Sequence, residues 1–232
     1  MIILALDALD YQQVEKHHCK NLMQAEHGQT DISDFTLPRT VVLWASFLTS
    51  KNMEAKIPIE GQWEFTLQPD ETFLRFVENH HTVDVPALSL KQRSHAEERD
   101  LLKKYFQHET TIETYDSVVL RNHEENKKEF FKSMGKFDLL MGYFDLADAV
   151  GHLSFGVPER TSEVYTELEG IAEEVRSSTD DTVLIISDHG MKALGRYGDH
   201  SENGFYSLNR PLKLRTPKIT QFYGLIEERA LR

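Results

Sequence analysis

Asp188 and His189 stand side by side in Thr182-Val-Leu-Ile-Ile-Ser-Asp-His-Gly-Met191, directly after a short apolar run rich in β-branched residues. A hard carboxylate oxygen beside a borderline imidazole nitrogen suits zinc or manganese. Two ligands do not close a site, so further ligands are expected from other parts of the chain. Asp148 and His152 are a second pair, four residues apart. On one turn of helix they share a face. Asp7 closes the N-terminal apolar run, and His200 sits in Gly198-Asp-His200. Thr40 supplies a hydroxyl ahead of a long apolar segment. Three carboxylates, three imidazoles and one hydroxyl are about what two divalent ions need when each keeps positions open for substrate. Two dications against three carboxylates and an alkoxide leave a neutral centre, into which a phosphoryl group can enter without repulsion.

The elements that must carry these residues follow from hydrophobic patterning. Val183 to Ile186 is unalternated, as in a strand buried on both faces of a parallel sheet. Residues 2–6 and 137–144 read the same way, and 204–208 is a further strand. In open α/β sheets ligands bind at the carboxyl ends of strands. That is where Asp7, Asp148, Asp188 and His189 fall, while Asp7 alone would read as a turn or cap residue. Thr40 opens an apolar stretch running to Ser50, just after Pro38, which suits a buried helix. A threonine in the first turn either caps the helix or helps its free N–H groups hold an anion, and local sequence favours capping. Helices are expected over 11–27, 96–107, 111–134 and 158–177, with a last one over 217–231 beginning near Thr220.

His17-His18-Cys19 falls on the first of these helices as a solvated face, because adjacent helical residues point apart. Residues 51–95 change character, with Pro58, Gly61, Pro69 and Pro86 breaking up short apolar pieces. His80, His81 and His95 read as loop or surface residues. The expected architecture is α/β: a mostly parallel central sheet flanked by helices, in one domain spanning 1–232, with an insertion or lid at 51–110.

The 232-residue chain is 40% hydrophobic and carries a net charge of −12 without a basic run. A phosphate backbone needs a cationic footprint, so a nucleic-acid polymer is not an expected partner. No apolar stretch approaches membrane-spanning length, so no membrane partner is expected either. The first residues lack a basic leader, and the single cysteine, Cys19, cannot form an internal disulfide. Both observations favour a cytoplasmic protein. The sequence assigns no oligomeric state.

In their order along the chain, Asp7, Thr40, Asp148-Ala-Val-Gly-His152, Ser187-Asp-His-Gly-Met191 and Gly198-Asp-His200 resemble the alkaline phosphatase superfamily. The likeness is to its type I phosphodiesterase/nucleotide pyrophosphatase branch. Asp148 to His152 is similar to the family's Asp-x-x-Gly-His, Gly198 to His200 to its Gly-x-His, and Thr49-Ser50 stands where the family usually has Thr-Gly. The resemblance covers residues 1–50 and 135–207. It implies one metal held by Asp148, His152 and His200, and another held by Asp7, Asp188 and His189 with Thr40 beside it. It further implies Thr40 as nucleophile, a phosphothreonine that water then hydrolyses, and a small phosphorylated substrate. Three His with three Asp favour zinc, with manganese or iron as alternatives.

The family's nucleotide pyrophosphatases carry an Asn about twenty residues after the nucleophile. This chain has Glu60-Gly-Gln-Trp63 there, with Asn52 and Gln62 as stand-ins. Arg39 and Lys51 are candidate phosphate contacts, and Trp44, Trp63 and Tyr206 are either core residues or base-stacking surfaces. The alternatives to a phosphodiesterase are a phosphomonoesterase, a phosphonate hydrolase or a phosphosugar mutase of the same superfamily. A non-catalytic member that binds metal or a phosphorylated ligand is the alternative from another class.

Overall fold

A computed structural model describes residues 1–230. In chain order the elements are β1 (Ile2–Leu6), α1 (Tyr11–Lys16), β2 (Glu26–Gln29), α2 (Thr40–Thr49), β3 (His80–Val83), α3 (Gln92–Phe106) and α4 (Ile112–Ser133). They continue with β4 (Leu139–Phe144), α5 (Leu146–Ser154), α6 (Pro158–Ser178), β5 (Val183–Ile186), β6 (Gly190–Leu194), β7 (Tyr197–Ser201), β8 (Phe205–Leu208) and α7 (Phe222–Ala230). Six strands form one sheet in the order β2-β8-β5-β1-β4-β3, and only β8 runs against the others.

Alternate side chains of the central strands divide the core into two layers, as the period-2 geometry of a strand requires. Ile3 and Ala5, Leu139, Met141 and Tyr143, and Leu184 and Ile186 face the layer built with α2 and α7. Ile2, Leu4 and Leu6, Leu140 and Phe144, and Val183 and Ile185 face the layer built with α1, α4, α5 and α6. Both faces are covered, which is why these strands read as unbroken apolar runs.

Residues 51–110 add Met53, Ile57, Leu67, Phe73 and Leu74 to the first layer and place β3 on the sheet edge. His80 and His81 lie in that strand rather than in a loop, and His95 is buried in α3. Its burial is compensated by the Asp84 carboxylate, 3.0 Å from Nε2. The expected helix over 11–27 stops at Lys16, and the chain then turns and forms β2. Edge strand β2 pairs with β8 through backbone groups and carries the polar Glu-His-Gly-Gln, so hydrophobic periodicity gave no signal for it. Cys19 is buried and His17 stacks on Tyr165, so only His18 of that trio is solvated. Among the described residues no helix is long and apolar enough to cross a membrane.

Candidate metal centre

Asp7 follows β1, Asp148 sits in the first turn of α5 just after β4, and Asp188 and His189 follow β5. These three strands are adjacent and in register, with Leu6 beside Phe144 and Ala5 beside Ile186. Their carboxyl ends therefore open at one point. Ala8 takes a left-handed φ of 55°, uncommon for a residue with a Cβ. That turn leaves its N–H donating to Asp188 Oδ1 at 3.4 Å.

His200 arrives by a route that hydrophobic periodicity did not reveal. Directly after His189 the chain forms the antiparallel hairpin β6–β7, with Met191 opposite His200. The two-residue turn carries Gly195 at φ 65°, a conformation that hairpin turns of this length demand. The hairpin brings the His200 ring to 3.9 Å from that of His189, centroid to centroid.

Three motif letters that ligate nothing have a packing explanation. A Cβ on Gly151 or Gly198 would run into the Met191 thioether, and one on Gly198 would also stand 2.7 Å from the Gly151 carbonyl oxygen. Helix α5 and the hairpin thus meet backbone to backbone around Met191. This contact sets His152 against His200, with 3.4 Å between their Nε2 atoms.

The six candidate ligands fall into two groups. Asp148 lies 3.3 Å from His152 Nε2 and 3.2 Å from His200 Nε2. His189 Nε2 lies 3.3 Å from Asp7 and 3.5 Å from Asp188. His189 also completes a cluster with Asp148 and His200, so it stands between the two groups. Hydrogen bonds fix which ring nitrogens point inward. His189 Nδ1 is 3.0 Å from the Gly190 carbonyl and His200 Nδ1 is 2.8 Å from that of Pro38. With Nδ1 turned outward to a carbonyl in both rings, each Nε2 is left facing the site. The Tyr143 hydroxyl donates to Asp7 Oδ2, leaving Oδ1 directed inward.

Asp7 Oδ1, Asp148 Oδ1, Asp188 Oδ2 and His189 Nε2 are buried and, among the described residues, accept no hydrogen bond. His189 Nε2 lies within ion-pair distance of Asp7 Oδ1 and Asp188 Oδ2, and Asp148 Oδ1 within that distance of His200 Nε2, all without hydrogen-bonding angles. Buried lone pairs left unpaired cost several kcal/mol. Four converging on one space are a donor set that fits divalent cations.

Electrostatics describe the same demand. Burial, and then Asp148, pushes the Asp7 carboxyl up to about 7. Burial and Asp7 hold Asp188 well above the usual carboxylate range. Burial also raises Asp148, but His152 and His200 more than offset it and leave it well below that range. The His189 ring is pushed down to about 3 by burial and by His200, so it is a neutral donor. Burial lowers His200, but the Asp148 carboxylate, 3.2 Å from Nε2, outweighs it and raises the ring to about 9. Asp148 raises His152 as well.

Thr40 is the first residue of α2 and is buried. Its N-cap residue, Arg39, makes no side-chain cap hydrogen bond, so the N–H groups of the first turn are left without a side-chain cap. The His200–Pro38 hydrogen bond ties the segment before Thr40 to the ligand cluster. Thr40, Trp63 and His200 form the shared wall of two adjoining cavities of 220 and 370 Å³. The smaller holds Asp7, Asp148, His152 and Tyr143.

A sequence model described as type I phosphodiesterase / nucleotide pyrophosphatase matches residues 76–215. That is more than half of the chain, and it holds Asp148, His152, Asp188, His189 and His200. The chain belongs to the type I phosphodiesterase/nucleotide pyrophosphatase family. Asp7 and Thr40 lie N-terminal to the matched span. No curated protein sequence matches.

Among solved structures, a sulfatase from Pseudoalteromonas sp. aligns over 99% of this chain and 67% of its own, at 11% identity and a TM-score of 0.50. The likeness is one of fold. Murine ectonucleotide pyrophosphatase/phosphodiesterase 5 aligns over 83% of this chain at 13% identity and a TM-score of 0.46. Phosphonoacetate hydrolase from Sinorhizobium meliloti aligns over 82% of this chain and 56% of its own, at 17% identity and a TM-score of 0.44. The chain spans 57% of the murine protein's length.

The remaining candidates divide by environment. Arg39 gives its guanidinium to the carbonyls of Ile57 and Glu54, at 3.0 and 3.4 Å, and Lys51 is exposed. Asn52 is held in a turn by Asp34 and Glu54, whereas Gln62 lines the larger cavity beside Thr40. Trp44 and Tyr206 are core residues, and only Trp63 reaches the cleft. Sequence reading missed Tyr143, the hydrogen-bond donor to Asp7, although the alternation of β4 placed its side chain with those of Leu139 and Met141. It also missed the buried group of His95, Glu98, Asp84 and Asp145 at the end of the smaller cavity, because Gln92 to Phe106 carries no family motif.

Proposed function

We propose that the protein is a metal-dependent phosphoric ester hydrolase that acts on a small phosphodiester or pyrophosphate-type substrate through Thr40. The observation that carries this reading is the set of four orphaned, buried donor atoms at adjacent strand ends, with Thr40 on the wall of the cavity that Asp7 and Asp148 line. Asp148, His152 and His200 would hold one divalent ion, and Asp7, Asp188 and His189 the other. Zinc is the metal this nitrogen and oxygen set favours, with manganese or iron accepted by the same donors. Bound there, such ions lower the pKa of a neighbouring hydroxyl and offset charge on the phosphoryl oxygens.

The residues of the chain supply the rest. The Thr40 hydroxyl loses its proton and its oxygen attacks phosphorus in line with the ester bond. The leaving oxygen, of an alcohol or of a second phosphate, departs with the bonding pair, and the proton lost from Thr40 is balanced through solvent. Water then cleaves the phosphothreonine and restores the hydroxyl. The free N–H groups of the first turn of α2 point at the phosphoryl oxygens and favour their negative charge. Asp188, His189 and His200 are held by the backbone of the β1 turn, by Gly190 and by Pro38, so little reorganisation accompanies the reaction. The whole chain acts as one domain, with residues 51–110 walling the cleft through Gln62 and Trp63.

Thr40→Ala is expected to lower turnover of bis-p-nitrophenyl phosphate by at least about a thousandfold while the metal content per chain stays the same. Turnover surviving that change would exclude the covalent route.

A further inference from the structure

Arg99 occupies an unusual position for a guanidinium in a chain of net charge −12. It lines the smaller cavity, together with Thr40, Asp7, Asp148 and His200. It is half-buried, and among the described residues it makes no hydrogen bond and no ion pair. Its guanidinium carbon lies over the Trp63 ring, 4.2 Å from its centroid, and Trp63 walls the same cavity. Trp63 is in turn fixed to α3, because Gln92, two turns before Arg99, donates its side-chain amide to the Trp63 carbonyl. Stacking of this kind holds a guanidinium in one orientation and leaves its edge N–H groups free.

The neighbouring acids explain why the guanidinium remains unpaired. Glu98, adjacent on α3, turns into the buried group, where it accepts from Asn122 and lies 3.5 Å from His95. Burial and Asp145 push its carboxyl up to about 9, and its contacts lie with Asn122 and His95. Glu64, on the other side, is exposed to solvent. The remaining cations of the clefts are engaged: Arg39 with backbone carbonyls, and Lys192 with Asp199 at 3.4 Å.

We propose that Arg99, oriented by Trp63, binds a second anionic group, a carboxylate or a phosphate, on the organic arm of the phosphoester substrate. This rests on the phosphoryl site reading given above. A guanidinium with two free N–H edges matches either anion in bidentate geometry. Arg99 is then a specificity-determining residue: it discriminates in binding, away from the phosphorus atom, and leaves the chemical step unchanged.

The test uses non-hydrolysable ligands of equal length and does not depend on turnover. Propylphosphonate, 3-phosphonopropanoate and propane-1,3-diphosphonate are titrated calorimetrically into the zinc-loaded protein and into its Arg99→Met and Arg99→Lys variants. The expected result is that a distal anion tightens Kd about tenfold or more in the parent protein. Arg99→Met should erase that gain without changing Kd for propylphosphonate, and Arg99→Lys should restore part of it. The two distal groups separate a carboxylate partner from a phosphate-like one. Equal Kd values for all three ligands in the parent protein would overturn this inference alone, even if Arg99→Met failed to fold. Loss of propylphosphonate binding to the zinc-loaded protein would overturn the phosphoryl site reading and this inference together.

Discussion

At the scale of single residues, some buried polar groups find partners within the protein and others do not. His95 does: Asp84, Glu98 and Asp145 all lie within 3.5 Å of its ring. Burial alone would lower it, yet the Asp84 hydrogen bond and the surrounding carboxylates raise it to about 9. A histidine with a folded pKa above its unfolded value of about 6.5 stabilises the fold fully below 6.5 and loses that contribution as pH rises to about 9. The folded state binds more protons than the unfolded state in this window, so stability falls with rising pH. Glu98, also raised to about 9, adds a slope of the same sign. Urea midpoints are therefore expected to decline from pH 6.5 to 9, and His95→Gln should flatten that decline. An unchanged profile in the variant would mean that His95 is not the titrating group. The four donor atoms of the candidate metal centre are the opposite case, since the described residues give them no hydrogen-bond partner.

Among the elements, β1, β4 and β5 bring the carboxylates together, whereas α5 and the β6–β7 hairpin bring the histidines. Their meeting depends on Gly151, Gly198 and Met191. Gly151→Ala should destabilise the fold by about 1–3 kcal/mol, as overpacking of a close contact does. Because its new methyl meets only Met191 at short range, a double-mutant cycle with Met191→Ala should show a favourable coupling of about 1 kcal/mol. Gly198→Ala should be rescued less, because its methyl also meets a backbone carbonyl. Additive effects in both cycles would refute this packing account.

The same elements show what sequence carried and what it did not. Strands buried on both faces announce themselves as apolar runs, so β1, β4 and β5 were legible, together with the acids at their ends. Helix α2 was legible from its length and from Pro38. Its C-cap residue Ser50, with φ 59°, takes the left-handed conformation at the place where the family usually has glycine. The hairpin was not legible, because Lys192, Ala193 and Leu194 are exposed and alternate with nothing. Strand β2 was hidden by its polar composition, and the His95 group by its sequence spread, since Asp84, His95 and Asp145 meet only in the folded chain.

For the molecule as a whole, a chain of net charge −12 must handle anions through local positive charge. Thr40 and Arg99 line the same cavity as Asp7 and Asp148, so the proposed cation and anion sites would share one cleft. Divalent ions bound there would relieve repulsion among three buried carboxylates, linking the integrity of the cleft to metal occupancy. The most direct test of the central claim is hydrolysis of bis-p-nitrophenyl phosphate beside p-nitrophenyl phosphate, after chelator dialysis and again with zinc or manganese returned. The account predicts faster cleavage of the diester, lost with the chelator and restored by metal. Diester cleavage that persists in the metal-stripped protein, or its absence with two ions bound per chain, would contradict it.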